Sequence, residues 1–554
     1  IMASLAAQQA LIDALTERVD AAEAAAEAAQ ETADAITRSA DTSWLVLSGA
    51  MVFFMQAGFG MLEAGAVSRK NVINILFKNV LDGCCAALAF WLIGYGFAFG
   101  ETAGGFIGTT NFGSTEIFNV GDHLGEGVDG WQFWFFQWTF AGTAATIVSG
   151  SVAERTKLEA YIIFSVVLTA IVYPVVVHWV WATGFLSAWG AIPDDDGAAR
   201  PLFSGTDASN GMIDFAGSGV CHMVGGWCGL IGAVIIGPRL GRFNADGKPK
   251  DMEYYNTTLM ALGTFILWFG WYGFNCGSTL AVSGNGANVA AKVAMTTTIA
   301  GASAALTCVV VARVVEGVFD VGMGLNGILA GLVSITANCA VVDPWMAFII
   351  GCVGGIIYYN AHYLLLRLRI DDPLDAFPIH GLCGLWGVLA TGIFCTDANV
   401  QYAGYPNVND ACGRGEQFGV QAVGAIIIIV WSVTCATALF MSMKVTMGLR
   451  VSEHIEIQGL DISEHGSVVD APTEKERKQV DLARQGSHDG MMPVTRVVAV
   501  GGGGNNNGTN NAVPFNAVAP GDGGAQTAGA PPAQPKEGWG EKKKDSLDLE
   551  NLLS

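Results

Sequence analysis

Two histidines lie inside long apolar runs of this chain, where ionisable side chains are costly and usually functional. His222 lies in GVCHMVGGWCGLIG and His380 in FPIHGLCGLWGVLATG, and both follow the pattern H-x3-G-x2-G. Because burial disfavours the imidazolium, we expect both rings to be neutral near pH 7 and able to share one hydrogen bond. A zinc or iron site is disfavoured because no third ligand stands at a suitable spacing. An ordinary hydrogen bond between helices is the alternative for either histidine taken singly.

Acidic and aromatic residues lie close to these runs and could cap helices or bind a cation. Asp214 precedes His222 by eight residues, which is roughly 12 Å along a helix, and its carboxylate can cap that helix or stabilise a cation. Asp375 precedes the second histidine run, where helix capping is the favoured role. Aromatic residues are concentrated at 131–140 and 178–186. Such clusters are typical of a membrane-interface belt or, beside an acid, of a cation–π site.

The elements that carry these residues are long apolar segments. Hydrophobic residues make up 51% of the 554 residues and charged residues only 14%, whereas a soluble domain carries about 25% charge. A membrane-spanning helix needs about 20 mostly apolar residues. We therefore expect an all-α polytopic membrane protein. Eleven runs are candidate transmembrane helices: 43–65, 79–100, 131–152, 159–181, 213–237, 257–277, 287–312, 323–342, 344–366, 377–396 and 418–442.

The repeated histidine pattern predicts an internal symmetry. His222 falls in the fifth predicted helix and His380 in the tenth, as two five-helix repeats followed by one extra helix would place them. Because the repeats are five helices apart, an odd number, the two halves have inverted topology. Such repeats bring equivalent helices together near the bilayer midplane, so we expect the two imidazoles to meet there.

Basic residues predict the orientation. The links after the odd-numbered helices carry fourteen Lys or Arg residues, Lys78 among them, and the alternate links carry two. Since cytosolic loops are enriched in Lys and Arg, this bias predicts an N-terminus outside and a cytosolic C-terminus.

The two ends of the chain differ from the membrane domain, which we place at 42–450. Residues 1–41 are rich in Ala and Glu, and their apolar stripe indicates an amphipathic helix, a short coiled-coil arm or a solvated extension. Residues 451–470 are a polar cytosolic segment, and 471–554 are rich in Gly, Asn, Ala and Pro, a composition typical of disorder.

Charge and cysteine content exclude other classes. With 28 Lys and Arg against 49 Asp and Glu, and a net charge of −21, the chain lacks the basic surface that binds nucleic acid. Most of the twelve cysteines lie in apolar runs as small hydrophobic residues. Cys395 and Cys412 flank one polar loop, where a disulfide is the less favoured alternative and requires that loop to be extracellular.

Several long stretches together resemble the ammonium transporter family, the Amt/methylammonium-permease group, in its eukaryotic plant or algal type. They are GAMVFFMQAGFGMLEAG, FFQWTFAGTAATIVSGSVAERT, DFAGSGVCHMVGG, LWFGWYGFNCGS and DDPLDAFPIHGLCGLWG, in the family's order across about 43–466. The resemblance implies a plasma-membrane homotrimer with one pore per subunit. It also implies ammonium or methylammonium as substrate, with no cofactor, no metal and no enzymatic activity.

The resemblance further implies a role for individual residues. Trp181, Phe140 and Ser278 would recruit ammonium, with Phe136 a weaker candidate and Asp214 acting without direct ligation. Phe140 and Phe274 would form the gate, and His222 and His380 the twin-histidine pore. In EHIEIQGLDISEHG (453–466), Ser463 would be a regulatory phosphorylation site for a kinase acting on the cytosolic tail. The long loop 182–212 separates Trp181 from Asp214, so the spacing on which Trp181 is assigned is not tight.

These residues favour uptake of ammonium by recruitment, deprotonation and conduction of ammonia, with net charge crossing. An electroneutral Rhesus-type ammonia channel is the nearest alternative, and Trp181 argues against it because that group lacks the recruiting tryptophan. An ammonium sensor is the second alternative, although the chain carries no kinase, cyclase or response domain of its own. An intramembrane enzyme would need a nucleophile–base pair or a full metal shell, and neither stands near the histidines.

Overall fold

The computed structural model describes residues 2–115, 130–189, 211–406, 412 and 415–467, and about three-quarters of these residues are helical. A two-stranded antiparallel ribbon, β1 (Thr102–Ala103) with β2 (Ile107–Gly108), pairs Thr102 with Gly108. The α-helices are α1 Met2–Ala66, α2 Val72–Ala89, α3 Tyr95–Phe99, α4 Gly130–Ser151, α5 Leu158–Val167, α6 Tyr173–Val180, α7 Val224–Ile236, α8 Thr257–Gly277, α9 Gly286–Val315, α10 Val321–Thr336, α11 Pro344–Arg367, α12 Cys383–Phe394, α13 Asp397–Tyr402, α14 Glu416–Thr446, α15 Glu453–Gln458 and α16 Leu460–His465.

Short π-helical stretches interrupt four of the spans. Phe90–Gly94 joins α2 to α3, and Leu168–Val172 joins α5 to α6. Ser218–Met223 leads into α7 and contains His222, and Phe377–Leu382 leads into α12 and contains His380. π-Helical turns are rare and often mark functional sites. The two histidines therefore occupy equivalent, locally unusual positions, as the predicted repeat requires.

The predicted fold class is confirmed: the chain is an all-α multi-pass membrane protein. In the described part of the chain, nine helices are long and apolar enough to cross a bilayer. Two further predicted spans coincide with α4, of 22 residues, and with the shorter apolar helix α10, of 16 residues. The count of eleven stays a prediction.

The second predicted span begins too late. We expected 79–100, but α2 already begins at Val72. The reason is that the polar side chains among its apolar residues are buried: Lys78 has no exposed surface, and its Nζ donates to the Thr156 carbonyl at 3.3 Å. Lys78 therefore lies within a helix, and its use as a link residue in the orientation count was wrong.

Two loop features also differ from the sequence prediction. Cys395 and Cys412 form a disulfide, which we had expected less than free thiols. Asp375 does not cap the second histidine helix, since the Phe377 amide donates instead to Asp372 at 2.8 Å. The Asp375 carboxylate pairs with His362 at 2.7 Å and accepts from the Tyr358 hydroxyl at 3.0 Å.

Candidate functional site

The two histidines predicted to meet are in contact. The Nδ1 atoms of His222 and His380 lie 3.1 Å apart, and the ring centroids lie 5.1 Å apart at 25°. Exposure is 0% for His222 and 4% for His380. A hydrogen bond between two Nδ1 atoms needs one donor and one acceptor, so it fixes opposite tautomers in the neutral pair. The His222 Nε2 is buried without a hydrogen-bond partner among the described residues and remains available to a small polar molecule.

Glycines allow the two histidine helices to approach. A Cβ at Gly226 would lie 2.2 Å from the Gly381 amide nitrogen, and a Cβ at Gly384 would lie 2.7 Å from the Ser218 carbonyl oxygen. The glycine that follows each histidine by four residues thus faces the partner helix at backbone distance. The repeated H-x3-G pattern therefore has a geometric purpose: the backbones pack closely enough for the imidazoles to touch.

A row of aromatic rings leads from the histidines to Trp181. His222 stacks on Phe274 with centroids 5.4 Å apart, and Phe274 lies 4.1 Å from Phe140. The Phe140 ring meets Trp181 edge-on at 5.7 Å. Phe136 extends the row to one side, 4.8 Å from Phe140. Phe140 and Phe274 are fully packed, whereas Trp181 is half-buried at the end of the row.

Trp181 and Asp214 are joined despite the loop between them. The indole Nε1 of Trp181 donates to the Asp214 carbonyl at 2.7 Å. The Asp214 carboxylate accepts from the amides of Gly217, Gly219 and Val220 at 3.1, 2.9 and 2.8 Å. Asp214 therefore caps the π-helical start that carries His222, and its oxygens point into the backbone.

Ser278 lies one turn after Phe274, at the end of α8. Its hydroxyl donates to the Phe274 carbonyl at 2.8 Å, which leaves the oxygen lone pairs free to accept. The segment that follows is held by Asp41 of α1, whose carboxylate accepts from the amides of Val282 and Ser283 at 2.8 and 2.9 Å. The Ser283 hydroxyl adds a third bond at 2.7 Å. Nothing in the spacing of Asp41 and Ser283 could indicate this contact.

Sequence reasoning missed Trp271. Its ring stacks on His222 at 5.1 Å and 15°, and its Nε1 donates to the Thr336 hydroxyl at 3.0 Å. The available signal was its position three residues before Phe274, which puts both rings on one helix face.

A second missed feature is a cavity of about 1270 Å³ beside Asp375, which precedes His380 by five residues. The cavity is also lined by His362, Arg239 and Glu456.

Within the part of the chain that the structure describes, no group of three metal-ligating side chains could hold an ion.

The polar segment after α14 is docked on the membrane domain of its own chain. Asp461 accepts from the amides of Ile73 and Asn74 at 3.0 and 2.8 Å, and Lys70 donates to the carbonyls of Glu456 and Ile457 at 3.0 and 2.7 Å. Ser463 is exposed, and its hydroxyl donates to the Gly459 carbonyl at 2.9 Å.

Comparison with known proteins identifies the family. The family model described as Ammonium Transporter Family matches residues 43–469. Ammonium transporter Amt2 of Archaeoglobus fulgidus is 40% identical over 431 residues, covering 77% of this chain and 87% of that protein. Ammonium transporter 1 member 1 of Oryza sativa subsp. japonica is 41% identical over 443 residues, covering 78% and 85%.

Solved structures give the same answer. A sensor Amt protein superposes with a TM-score of 0.69 at 34% identity, covering 78% of this chain and 99% of that one. Mep2 of Saccharomyces cerevisiae superposes with a TM-score of 0.65 at 29% identity, covering 75% and 88%. The chain therefore belongs to the Ammonium Transporter Family and is a multi-pass membrane transporter of ammonium, not an enzyme.

Proposed function

We propose that the chain takes up ammonium by recruiting the cation at Trp181, deprotonating it at the phenylalanine gate and conducting ammonia past the twin histidines with net transfer of charge. The observation that carries the proposal is the unbroken row of rings from Trp181 through Phe140 and Phe274 to His222 and His380. Each neighbour in this row is within 6 Å, so a small ligand leaving one ring meets the next.

The recruitment step uses groups at the end of the row. The half-buried indole of Trp181 offers a π-face to a cation. The Ser278 hydroxyl, whose own proton is engaged with Phe274, accepts a hydrogen bond from ammonium. Asp214 acts on the cation indirectly. Its carboxylate is occupied by backbone amides, and its backbone carbonyl orients Trp181. These contacts replace part of the water shell that ammonium loses.

Deprotonation follows from the apolar gate. Phe140 and Phe274 close the path at a centroid distance of 4.1 Å, and a bare cation pays a large desolvation penalty among such rings. Ammonia does not carry that penalty. Potassium has no proton to lose, so it stops where ammonium can continue as ammonia. The His222 Nε2 then accepts the proton that ammonium releases, the Nδ1–Nδ1 hydrogen bond passes a proton on to His380, and the pair offers hydrogen bonds to the ammonia.

The chain forms a plasma-membrane homotrimer with one pore per subunit, an outside N-terminus and a cytosolic C-terminus, as the family resemblance and the Lys and Arg bias indicate. The disulfide between Cys395 and Cys412 supports an extracellular position for the loop after α12. Phosphorylation of Ser463 by a kinase would regulate transport through the docked segment.

Uptake of labelled methylammonium by cells that express the chain tests recruitment. We expect saturable uptake that ammonium inhibits, with a several-fold higher half-saturation concentration in Trp181→Ala. An unchanged half-saturation concentration in Trp181→Ala would remove Trp181 from the recruitment site.

A sensing function is the second candidate, favoured by the similarity to the sensor Amt protein. A sensor binds ammonium without carrying it, so binding to the purified chain together with zero uptake and zero current would favour sensing over transport. Uptake without current would instead favour an electroneutral channel of the Rhesus type.

A further inference from the structure

The first forty residues of α1 are unlike the rest of the molecule. They precede the region 43–469 that matches the family, yet they continue the first membrane helix without a break from Met2 to Ala66. We call residues 4–41 the arm. At 1.5 Å per residue the arm is roughly 57 Å long. Its large apolar side chains are exposed, with Leu5 at 59% and Ile12 at 55%.

Five of the six large apolar residues of the arm follow a heptad repeat, and the sixth, Leu11, lies beside it at position g. Positions spaced alternately by three and four residues form one seam, in which Gln8 alone is polar. The seam consists of Leu5, Gln8, Ile12, Leu15, Val19, Ala22, Ala26, Ala29, Ala33, Ile36 and Ala40. A 3.5-residue repeat of this kind is the pattern of helices that supercoil around one another, with these residues as positions a and d. A lone helix leaves such a seam in water.

The charges of the arm fit the same frame. Seven of its eight acidic residues occupy positions b and f, two of the three positions that face away from the seam: Asp13, Glu17, Asp20, Glu27, Glu31, Asp34 and Asp41. The eighth, Glu23, is at position e, and Arg18 is at position g. In a parallel, in-register coiled coil, residue g of one helix faces the residue five positions later, at e, of the next. Arg18 of one copy would thus face Glu23 of another.

Other occupants of the seam fit less well. Helices that lie on membranes are rich in Lys and Arg, whereas the arm has two Arg against eight acids. The base of the arm is fixed on its own membrane domain by the bonds from Asp41 to Val282 and Ser283. In an assembly of copies around an axis normal to the membrane, every arm therefore leaves the same face at the same height, and symmetry makes the arms parallel and in register.

We propose that the arms of neighbouring copies of this chain wind into a parallel, in-register coiled coil beside the face that carries Ser278. This interaction surface rests on the homo-oligomer of the proposed function but lies outside the membrane domain that the family shares. It would link the copies through a contact that does not involve the pore.

Cysteine crosslinking in native membranes tests the proposal on the full chain. The arm has no cysteine of its own, so Ala26→Cys places one thiol on the seam and Ala24→Cys places one at position f. Both replace an exposed alanine of the same helix. With mild oxidation we expect at least fivefold more disulfide-linked dimer for Ala26→Cys than for Ala24→Cys, with the unaltered chain giving the background from Cys84, an exposed thiol elsewhere.

Equal crosslinking of the two variants, or crosslinks to other proteins only, would overturn the proposal. Measuring the native size of the protein in the same samples tests the homo-oligomer separately from the coiled coil. An intact oligomer without seam crosslinks rejects the coiled coil and leaves the homo-oligomer standing, whereas a monomer rejects both.

Charge exchange tests the register. In the Ala26→Cys background, Arg18→Glu sets like charges opposite each other, and we expect the crosslinked fraction to fall at least twofold. Adding Glu23→Arg restores the opposite pair, and we expect the fraction to return. If Arg18→Glu and Glu23→Arg together crosslink no better than Arg18→Glu alone, the parallel register is wrong.

Discussion

The Nδ1 atoms of His222 and His380 lie 3.1 Å apart, although 158 residues separate them in the chain. Each ring comes from a π-helical stretch at the start of its membrane helix, and each helix has a glycine at the point of closest approach. Because only one proton can lie between the two atoms, the tautomers of the rings are coupled. A proton or ammonia molecule that binds one ring changes what the other ring can donate.

Removing one member of this pair should change selectivity. In His222→Ala, the His380 ring loses its partner and the conduit widens. We expect potassium, which carries no current through the unaltered chain, to give a current of about one tenth of the ammonium current, so that discrimination falls to about 1.4 kcal/mol. The control is His178→Ala, because His178 is also buried but pairs with the Ala98 carbonyl and Thr102. An unchanged ratio in His222→Ala, or an equal change in His178→Ala, would contradict the assigned role.

Asp214 should support transport by holding the start of the His222 helix in place, not by its charge. Asp214→Ala leaves the amides of Gly217, Gly219 and Val220 without their acceptor, at a cost of about 1–3 kcal/mol for buried groups left unpaired. We expect uptake to drop at least about tenfold, since 1.4 kcal/mol is a factor of ten, with Asp214→Asn keeping part of it through its remaining oxygen. If Asp214→Asn is as inactive as Asp214→Ala, the carboxylate charge and not the cap is what matters.

Asp41 should affect ammonium affinity from outside the row of rings. Its three hydrogen bonds order the segment that follows Ser278, so Asp41→Ala loosens the position of that hydroxyl. We expect the half-saturation concentration for uptake to rise about threefold to tenfold, up to about 1.4 kcal/mol, with a nearly unchanged maximal rate. Asp34→Ala, an exposed acid on the same helix, is the matched control. A loss of maximal rate alone would argue against positioning.

The loops beside the large cavity should make stability depend on pH. Burial alone raises the pKa of Asp371, but the guanidinium of Arg239, at 2.8 Å, outweighs it and holds that pKa well below its usual range. A carboxyl with a lowered pKa stabilises the fold above its unfolded-state value of about 4, and this contribution is lost as the pH falls below it. The midpoint temperature of thermal unfolding in detergent should therefore fall progressively below about pH 4.

Asp371→Asn checks that cause. Breaking a buried pair costs about 3–5 kcal/mol, so we expect a lower unfolding midpoint at neutral pH and a shallower loss in acid. Asp246→Asn changes an exposed acid of a nearby loop and serves as the control. Parallel acid profiles for Asp371→Asn and the unaltered chain would show that another group is responsible.

Ser463 should control transport through charge. Ser463 follows Asp461, which caps α2, by two residues. It directly precedes Glu464, whose carboxylate accepts a hydrogen bond from the Asn74 side chain at 2.5 Å. A phosphate adds about −2 charge beside these acids and weakens the docked segment. We expect Ser463→Asp to lower the uptake rate at least twofold and Ser463→Ala to retain it. Equal rates for the two variants and the unaltered chain would remove the switch.

Local pattern was enough for some of these features. The repeated H-x3-G-x2-G pattern predicted the contact of the histidines, because inverted repeats bring equivalent positions together. The position of Asp214 at the start of the first histidine run predicted its cap. By contrast, Asp375 was assigned to a cap that Asp372 provides, because its true partners, His362 and Tyr358, come from another helix.

Long-range pairing explains the remaining misses. Asp41 bonds Ser283 across 242 residues, and neither residue stands in a recognisable pattern. The start of α2 was predicted to be a link because a Lys is unfavourable in lipid, yet Lys78 is buried against the Thr156 carbonyl within the protein. Sequence composition reports the average environment of a segment, whereas these contacts depend on which helix lies beside it.

Voltage-clamp recording in oocytes that express the chain tests the central claim most directly. We predict an inward current that saturates with external ammonium, persists with methylammonium, and is absent when potassium alone is raised, because only a cation that can release a proton passes the rings of Phe140 and Phe274. With the protein present at the cell surface, the absence of any ammonium-dependent current, or an equal current with potassium, would contradict it.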